Sequence, residues 1–220
     1  MDYKIQHIPI SPNRRIGRKT KMTSITIHST ANLKSNALNE RNWLVNPSNT
    51  RTASWHIAVD DKMAVEAIPL DEVAWHAGSS TGNNSSIGIE ICESGDRLKT
   101  IKNAVDLSAR LLYERGWGTP QMKRHFDWSG KNCPNIMSAN NWALWNQFVK
   151  DVQEELNRLK GVGPVLTNPS AVSNKVPSGW AKIDWEWAVA MKLFDGTNPQ
   201  GNITREQMAA VMRRFYDLVK

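Results

Sequence analysis

Two stretches of this chain alternate isoleucine with small or polar residues: Ser24-Ile-Thr-Ile-His28 and Ser86-Ile-Gly-Ile-Glu-Ile-Cys92. Successive side chains on a strand point to opposite faces, so each stretch buries its isoleucines on one side. The other side then carries His28 at the end of the first strand, and Gly88, Glu90 and Cys92 along the second. A carboxylate in mid-strand is costly to bury without a reason, which directs attention to that face. Ala53-Ser-Trp-His-Ile-Ala-Val-Asp60 is a third strand candidate.

Helical patterns separate these strands. Ser35 to Val45 reads as a helix that ends at Pro47, and Thr100 is placed to cap a helix running through Glu114 and stopping at Gly116. From Ala139 to Lys160, Trp142, Trp145, Val149, Val152, Leu156 and Leu159 recur at spacings of three and four, an apolar stripe expected to lie against a sheet. The fold class expected is α/β, a mixed central sheet flanked by helices over residues 1–160. Residues 161–179 break every periodicity with Gly, Pro, Ser and Asn and read as a linker. Residues 180–220 read as a small helical unit. Asp184 caps a helix to Leu193, and Thr204-Arg-Glu-Gln207 opens another with Met208, Val211, Met212 and Phe215 inward. A unit of about 40 residues is small for a core of its own, so it is expected to pack on the first domain or pair with a copy of itself as a homo-oligomer.

The composition, 40% hydrophobic and 22% charged, suits a globular protein, and no apolar run approaches the roughly 20 residues of a membrane span. The start, Met1-Asp-Tyr-Lys-Ile-Gln, lacks the charged-then-apolar pattern of an export signal, so synthesis in the cytosol without membrane insertion is expected. A formal charge of +7 favours polyanionic partners: nucleic acid, anionic membrane or acidic wall polymers. Arg14, Arg15, Arg18, Lys19 and Lys21 form only a short basic stretch without interleaved aromatics, and nucleic acid is not expected as a partner. Cys92 and Cys133 are too few for a disulfide scaffold, which leaves a thiolate free to bind metal.

His28, Glu90, His125, Lys131 and Cys133 fall at strand ends, on strand faces and in loops, a distribution that suits a cleft floor. Two imidazoles and one thiolate make three zinc ligands with a fourth position open, the arrangement of a catalytic rather than a structural zinc. Cys92 rivals Cys133 as the thiolate. It shares a strand surface with Glu90, however, whereas Cys133 follows His125 by eight residues in a loop.

Five segments carry a family resemblance: Ile-Thr-Ile-His28-Ser-Thr, Ala-Ser-Trp-His56-Ile-Ala-Val-Asp-Asp, Ala-Trp-His76-Ala-Gly, Ser-Ile-Gly-Ile-Glu90-Ile-Cys-Glu-Ser and His125-Phe-Asp-Trp-Ser-Gly-Lys131-Asn-Cys133-Pro. In order and spacing they resemble the type-2 zinc-dependent N-acetylmuramoyl-L-alanine amidases shared by phage endolysins, bacterial autolysins and peptidoglycan recognition proteins. The resemblance covers residues 20 to 160 and implies hydrolysis of the amide between the lactyl group of N-acetylmuramic acid and L-alanine. It implies Zn²⁺ on His28, His125 and Cys133, catalysis by Glu90 and Lys131, and a substrate groove near Trp55, His56 and His76; the residues themselves equally allow His56 and His76 to be partners of the metal ligands or packed imidazoles. Some members carry a catalytic tyrosine where this chain has Trp55, which supplies no hydroxyl.

The C-terminal residues Phe194-Asp-Gly-Thr-Asn-Pro and Ile203-Thr-Arg-Glu-Gln207 resemble part of an S-layer-homology module, which implies binding of peptidoglycan-linked secondary wall polymer. An endolysin of this kind would wait in the cytosol and act once the membrane is breached. The alternatives are a recognition protein without catalysis and a cytosolic muropeptide-recycling amidase.

Overall fold

A computed structural model describes residues 1–161, 182–194 and 205–218. The chain divides into two compact units, residues 1–164 and 165–220. In the first, six strands form one sheet: β1 (Asp2–Ile5), β2 (Ser24–Ser29), β3 (Ile57–Val59), β4 (Met63–Glu66), β5 (Ser86–Ile91) and β6 (Met122–Arg124), in the order β1-β4-β3-β5-β2-β6. Only β3 and β4 run antiparallel; every other neighbouring pair is parallel, so the sheet is mixed as expected.

The two isoleucine stretches are the central strands β2 and β5, paired in register so that His28 lies opposite Glu90. Ile25, Ile27, Ile87, Ile89 and Ile91 are fully buried in one core with Leu107, Leu111 and Leu112 of helix α3 (Arg97–Glu114) and Trp145, Phe148, Val152 and Leu156 of helix α5 (Ala139–Leu159). Burying an isoleucine contributes about 1.5–3 kcal/mol, so this face alone accounts for much of the fold. Helix α1 (Ala37–Val45) covers the opposite face, where Ala37 and Leu44 pack with Trp55, Ala58, Val65 and Cys92. Two short helices, α2 (Ser80–Ser85) and α4 (His125–Ser129), complete the first unit.

Several details differ from the sequence expectation. The cap of α3 is Asp96, whose carboxylate accepts from the Lys99 N–H at 3.1 Å, while Thr100 is buried one turn inside and donates to the Asp96 carbonyl. Helix α5 runs along α3 rather than lying on the sheet alone. Its first turn is left-handed at Asn140, Asn141 and Trp142, so regular helix begins only beyond them.

The second unit contains α6 (Lys182–Ala190) and α7 (Arg205–Leu218), joined by an Arg214 hydrogen bond to the Leu193 carbonyl at 2.9 Å. Asp184 lies inside α6 rather than capping it. Met208, Met212 and Phe215, expected to point inward, are exposed, since two short helices have too little surface to cover each other's apolar faces. The linker and most of the S-layer-homology-like motif, including Thr204, lie outside the described residues.

Candidate active site

Strand pairing delivers His28 and Glu90 side by side on the α1 face of the sheet. His125 opens α4 directly after β6, the strand next to β2, and Arg124 fixes that turn by pairing with Asp127. The Phe126 N–H donates to the Cys133 carbonyl at 3.1 Å, tying the His125 turn to the Cys133 loop. The result is a triangle of donor atoms: His28 Nδ1 lies 3.0 Å from His125 Nδ1 and 3.7 Å from Cys133 Sγ. All three side chains are buried.

Those separations can be compared with tetrahedral zinc. Zn–N near 2.0–2.1 Å and Zn–S near 2.3 Å place two nitrogens ~3.3 Å apart and nitrogen ~3.6 Å from sulfur. The triangle fits that geometry, and no other group of three such side chains among the described residues converges in this way. Burial holds the His125 imidazole down at about 4 and His28 well below its ordinary value, so both rings offer bare lone pairs at neutral pH. Burial also pushes the Cys133 thiol up to about 11, so metal binding must displace its proton.

Hydrogen bonds explain which nitrogen of His28 faces the triangle. His76 Nε2 must donate to the Ser86 carbonyl, at 3.0 Å, which leaves His76 Nδ1 as an acceptor. His28 Nε2 donates to it at 3.0 Å, and His28 Nδ1 is then the lone pair turned to the metal position. His76 is itself held by Asn83, which accepts from the His76 and Ala77 N–H groups at 2.9 and 2.7 Å. Gly88 belongs to the same device: a Cβ there would come within 2.7 Å of the His76 ring. The strand glycine is therefore space for an imidazole. Replacing His76 by alanine is expected to weaken zinc affinity about 10- to 100-fold, measured by chelator competition, and unchanged affinity would remove it from the site.

Of the readings open for His56, the structure shows the packed imidazole rather than a groove-lining residue. It is fully buried, its Nδ1 accepts from the Gly88 N–H at 2.9 Å and its Nε2 donates to the Glu72 carbonyl at 2.8 Å. With both nitrogens used by backbone, it is a strut beneath the cleft. Burial holds His56 at about 4 and His76 at about 3, against about 6.5 in the unfolded chain. The unfolded chain then takes up protons that the folded one refuses, so stability is full above pH 6.5 and falls as pH drops towards 4. Each pH unit in that window removes about 1.4 kcal/mol per imidazole. Urea unfolding in chelator is expected to show a lower midpoint at pH 5 than at pH 7; equal midpoints would contradict this.

The triangle forms one wall of a cleft of about 800 Å³ lined also by Glu40, Trp43, Trp55, Trp75, Glu90 and Lys131. Burial, reinforced by the Glu40 charge, pushes Glu90 up to about 8, and Lys131 opposes that rise. Glu90 Oε2 is buried without a hydrogen-bond partner. Lys131 stands exposed at the lip, and Trp55 stacks on Trp43 with ring centroids 5.6 Å apart. Cys92, the rival thiolate, is buried under α1 among Ala58 and Val65, apart from the triangle.

A family model described as N-acetylmuramoyl-L-alanine amidase matches residues 18–136. The chain belongs to this amidase family. It is 36% identical over 207 residues to the N-acetylmuramoyl-L-alanine amidase CwlA of Bacillus subtilis (strain 168), covering 89% of this chain and 73% of that one. It is 40% identical over 157 residues to XlyB of the same organism, covering 68% of this chain but only 46% of XlyB. The solved catalytic domain of XlyA superposes with a TM-score of 0.64 at 35% identity, covering 69% of this chain and 99% of that one. The family match spans β2 to the Cys133 loop and so takes in every residue of the triangle, with Glu90 and Lys131.

Sequence reasoning missed Glu40, Trp43 and Trp75 as lining residues. Trp75 sits beside His76 in a segment already singled out. Glu40 carried no such signal: only in the structure do Ala37, Glu40 and Leu44 share the buried face of α1.

Proposed function

We propose that this chain is a zinc-dependent N-acetylmuramoyl-L-alanine amidase that acts on peptidoglycan as an endolysin. The observation that carries the reading is the convergence of His28 Nδ1, His125 Nδ1 and Cys133 Sγ in a cleft that also holds the unpartnered Glu90 carboxylate oxygen. Zinc on these three residues would supply a Lewis acid for the scissile carbonyl and acidify a water at its open position.

The chain's own residues do the rest. Glu90 takes the proton of the attacking water and delivers it to the departing alanine nitrogen, a role for which a carboxyl group with a pKa near neutrality is suited. Lys131 neutralises negative charge gathering on the carbonyl oxygen. His76 keeps His28 in the metal-facing tautomer. The products are the lactyl carboxylate of the sugar and a free alanine amine. Wall clearing by the purified protein should stop in chelator and return on adding zinc; binding to walls with no clearing under any metal condition would make it a recognition protein instead.

No helix among the described residues is long and apolar enough to cross a membrane. The proposed site of action is the wall, reached after the membrane is permeabilised. The C-terminal unit is proposed either to hold the enzyme there on secondary wall polymer or to pair with a copy of itself. Its exposed Met208, Met212 and Phe215 support an apolar contact, being spaced to fall on one side of α7. If the contact is self-association, Met212→Glu converts a dimer to monomer in light scattering; a wild type monomeric throughout the micromolar range would leave wall polymer as the ligand.

A further inference from the structure

Among the described residues, six buried side-chain polar atoms lack a hydrogen-bond partner, and four of them belong to residues lining the active-site cleft: Thr30 Oγ1, Trp55 Nε1, Trp75 Nε1 and Glu90 Oε2. Each of these atoms is closed to solvent, and leaving such an atom unpaired is costly, so the residues that line this cleft carry polar groups that the fold alone does not satisfy. Glu40 faces the same cleft from α1 and is only 8% exposed. Ser35 hydrogen-bonds to its side chain, and neither carboxylate oxygen is among the enclosed unpartnered atoms, so a carboxylate able to accept several hydrogen bonds opens on the cleft. An acidic residue in the first turn of a helix gains only modestly from the helix dipole. That gain is too small to explain a carboxylate buried in the apolar stripe of α1 at the cost of desolvation.

We propose that Glu40 is a substrate-positioning carboxylate that accepts hydrogen bonds from N–H and O–H donors of the muramoyl sugar, making α1 the sugar wall of the cleft. The inference rests on the amidase reading above. The sugar fits this wall better than the stem peptide does, for two reasons. The stacked Trp43 and Trp55 rings offer an apolar surface to the C–H face of a ring. A peptide bearing carboxylates would be repelled by Glu40 and Glu90 and drawn instead to the exposed Lys34, Arg51 and Lys131 at the cleft's mouth.

The test uses the zinc-loaded full chain, with wild type, Glu40→Ala and Glu40→Gln compared on N-acetylmuramoyl-L-alanyl dipeptide. Binding of N-acetylmuramic acid as its uncharged methyl ester, and of the free L-alanyl dipeptide, is measured separately by calorimetry. Glu40→Ala is expected to raise KM and weaken sugar binding by about 10- to 100-fold, with zinc content and dipeptide binding within about 3-fold of wild type, while the acid limb of kcat moves to lower pH because the Glu40 charge no longer raises Glu90. Glu40→Gln keeps the shape and one acceptor, and is expected to lose less of the sugar affinity than alanine does. Unchanged sugar affinity in both variants, or equal losses for sugar and dipeptide, would overturn the role of Glu40. Should alanine fail to fold, the glutamine variant decides alone, with sugar affinity equal to wild type overturning the proposal. A wild type that binds the sugar but releases no L-alanyl dipeptide would instead overturn the amidase reading.

Discussion

Glu90→Gln is expected to lower kcat about 100- to 10,000-fold while zinc content stays at the wild-type level. The amide is nearly isosteric and keeps a hydrogen-bonding oxygen, but it does not take a proton from water. The wild-type acid limb should also lie above the ordinary glutamate range. Glu90 must be ionised to act as base, and burial and Glu40 raise its pKa, so activity is lost as pH falls through that raised value. A cation on the neighbouring ligands would draw the value down from there. A pH profile of kcat/KM checks this. A glutamine variant with wild-type kcat would remove Glu90 from the chemistry.

Cys133→Ala is expected to abolish both zinc retention and turnover. Removing the thiolate leaves two imidazoles at the triangle and loses the ligand nearest in charge to the cation's needs. Cys92→Ala, by contrast, is expected to keep zinc and turnover and to cost only packing under α1, because Cys92 lies among Ala58 and Val65. Metal analysis of the two purified variants separates them: full zinc in Cys133→Ala would sink the assignment. Binding zinc should also release the Cys133 proton, since the thiol is held near 11 without metal and must ionise to coordinate.

The central strands were more legible in the sequence than the outer ones. Strands β2 and β5 announced themselves because both alternate isoleucine with small or polar residues, and their parallel register alone sets His28 beside Glu90. Strands β1, β4 and β6 have three or four residues each and no clear alternation; their pairing comes from neighbouring strands rather than their own pattern. The roles of the remaining histidines were not legible. Nothing in the spacing of His56 and His76 says that one spends both nitrogens on backbone while the other sets the tautomer of His28. That distinction comes from tertiary hydrogen bonds, and Gly88, which makes room for it, looks in sequence like an ordinary weak point of a strand. Glu40 was overlooked because a single acid in a short helix reads as surface until the neighbours at Ala37 and Leu44 are seen to be buried.

The central claim is that the triangle and Glu90 cut one bond, the amide between muramic acid and alanine. The most direct measurement digests purified Gram-positive walls and counts new alanine amino termini and new sugar reducing ends in the same sample. The account predicts a rise in alanine termini, abolished by chelator and by Glu90→Gln, with no change in reducing ends. New reducing ends, or other new amino termini without alanine, would contradict it.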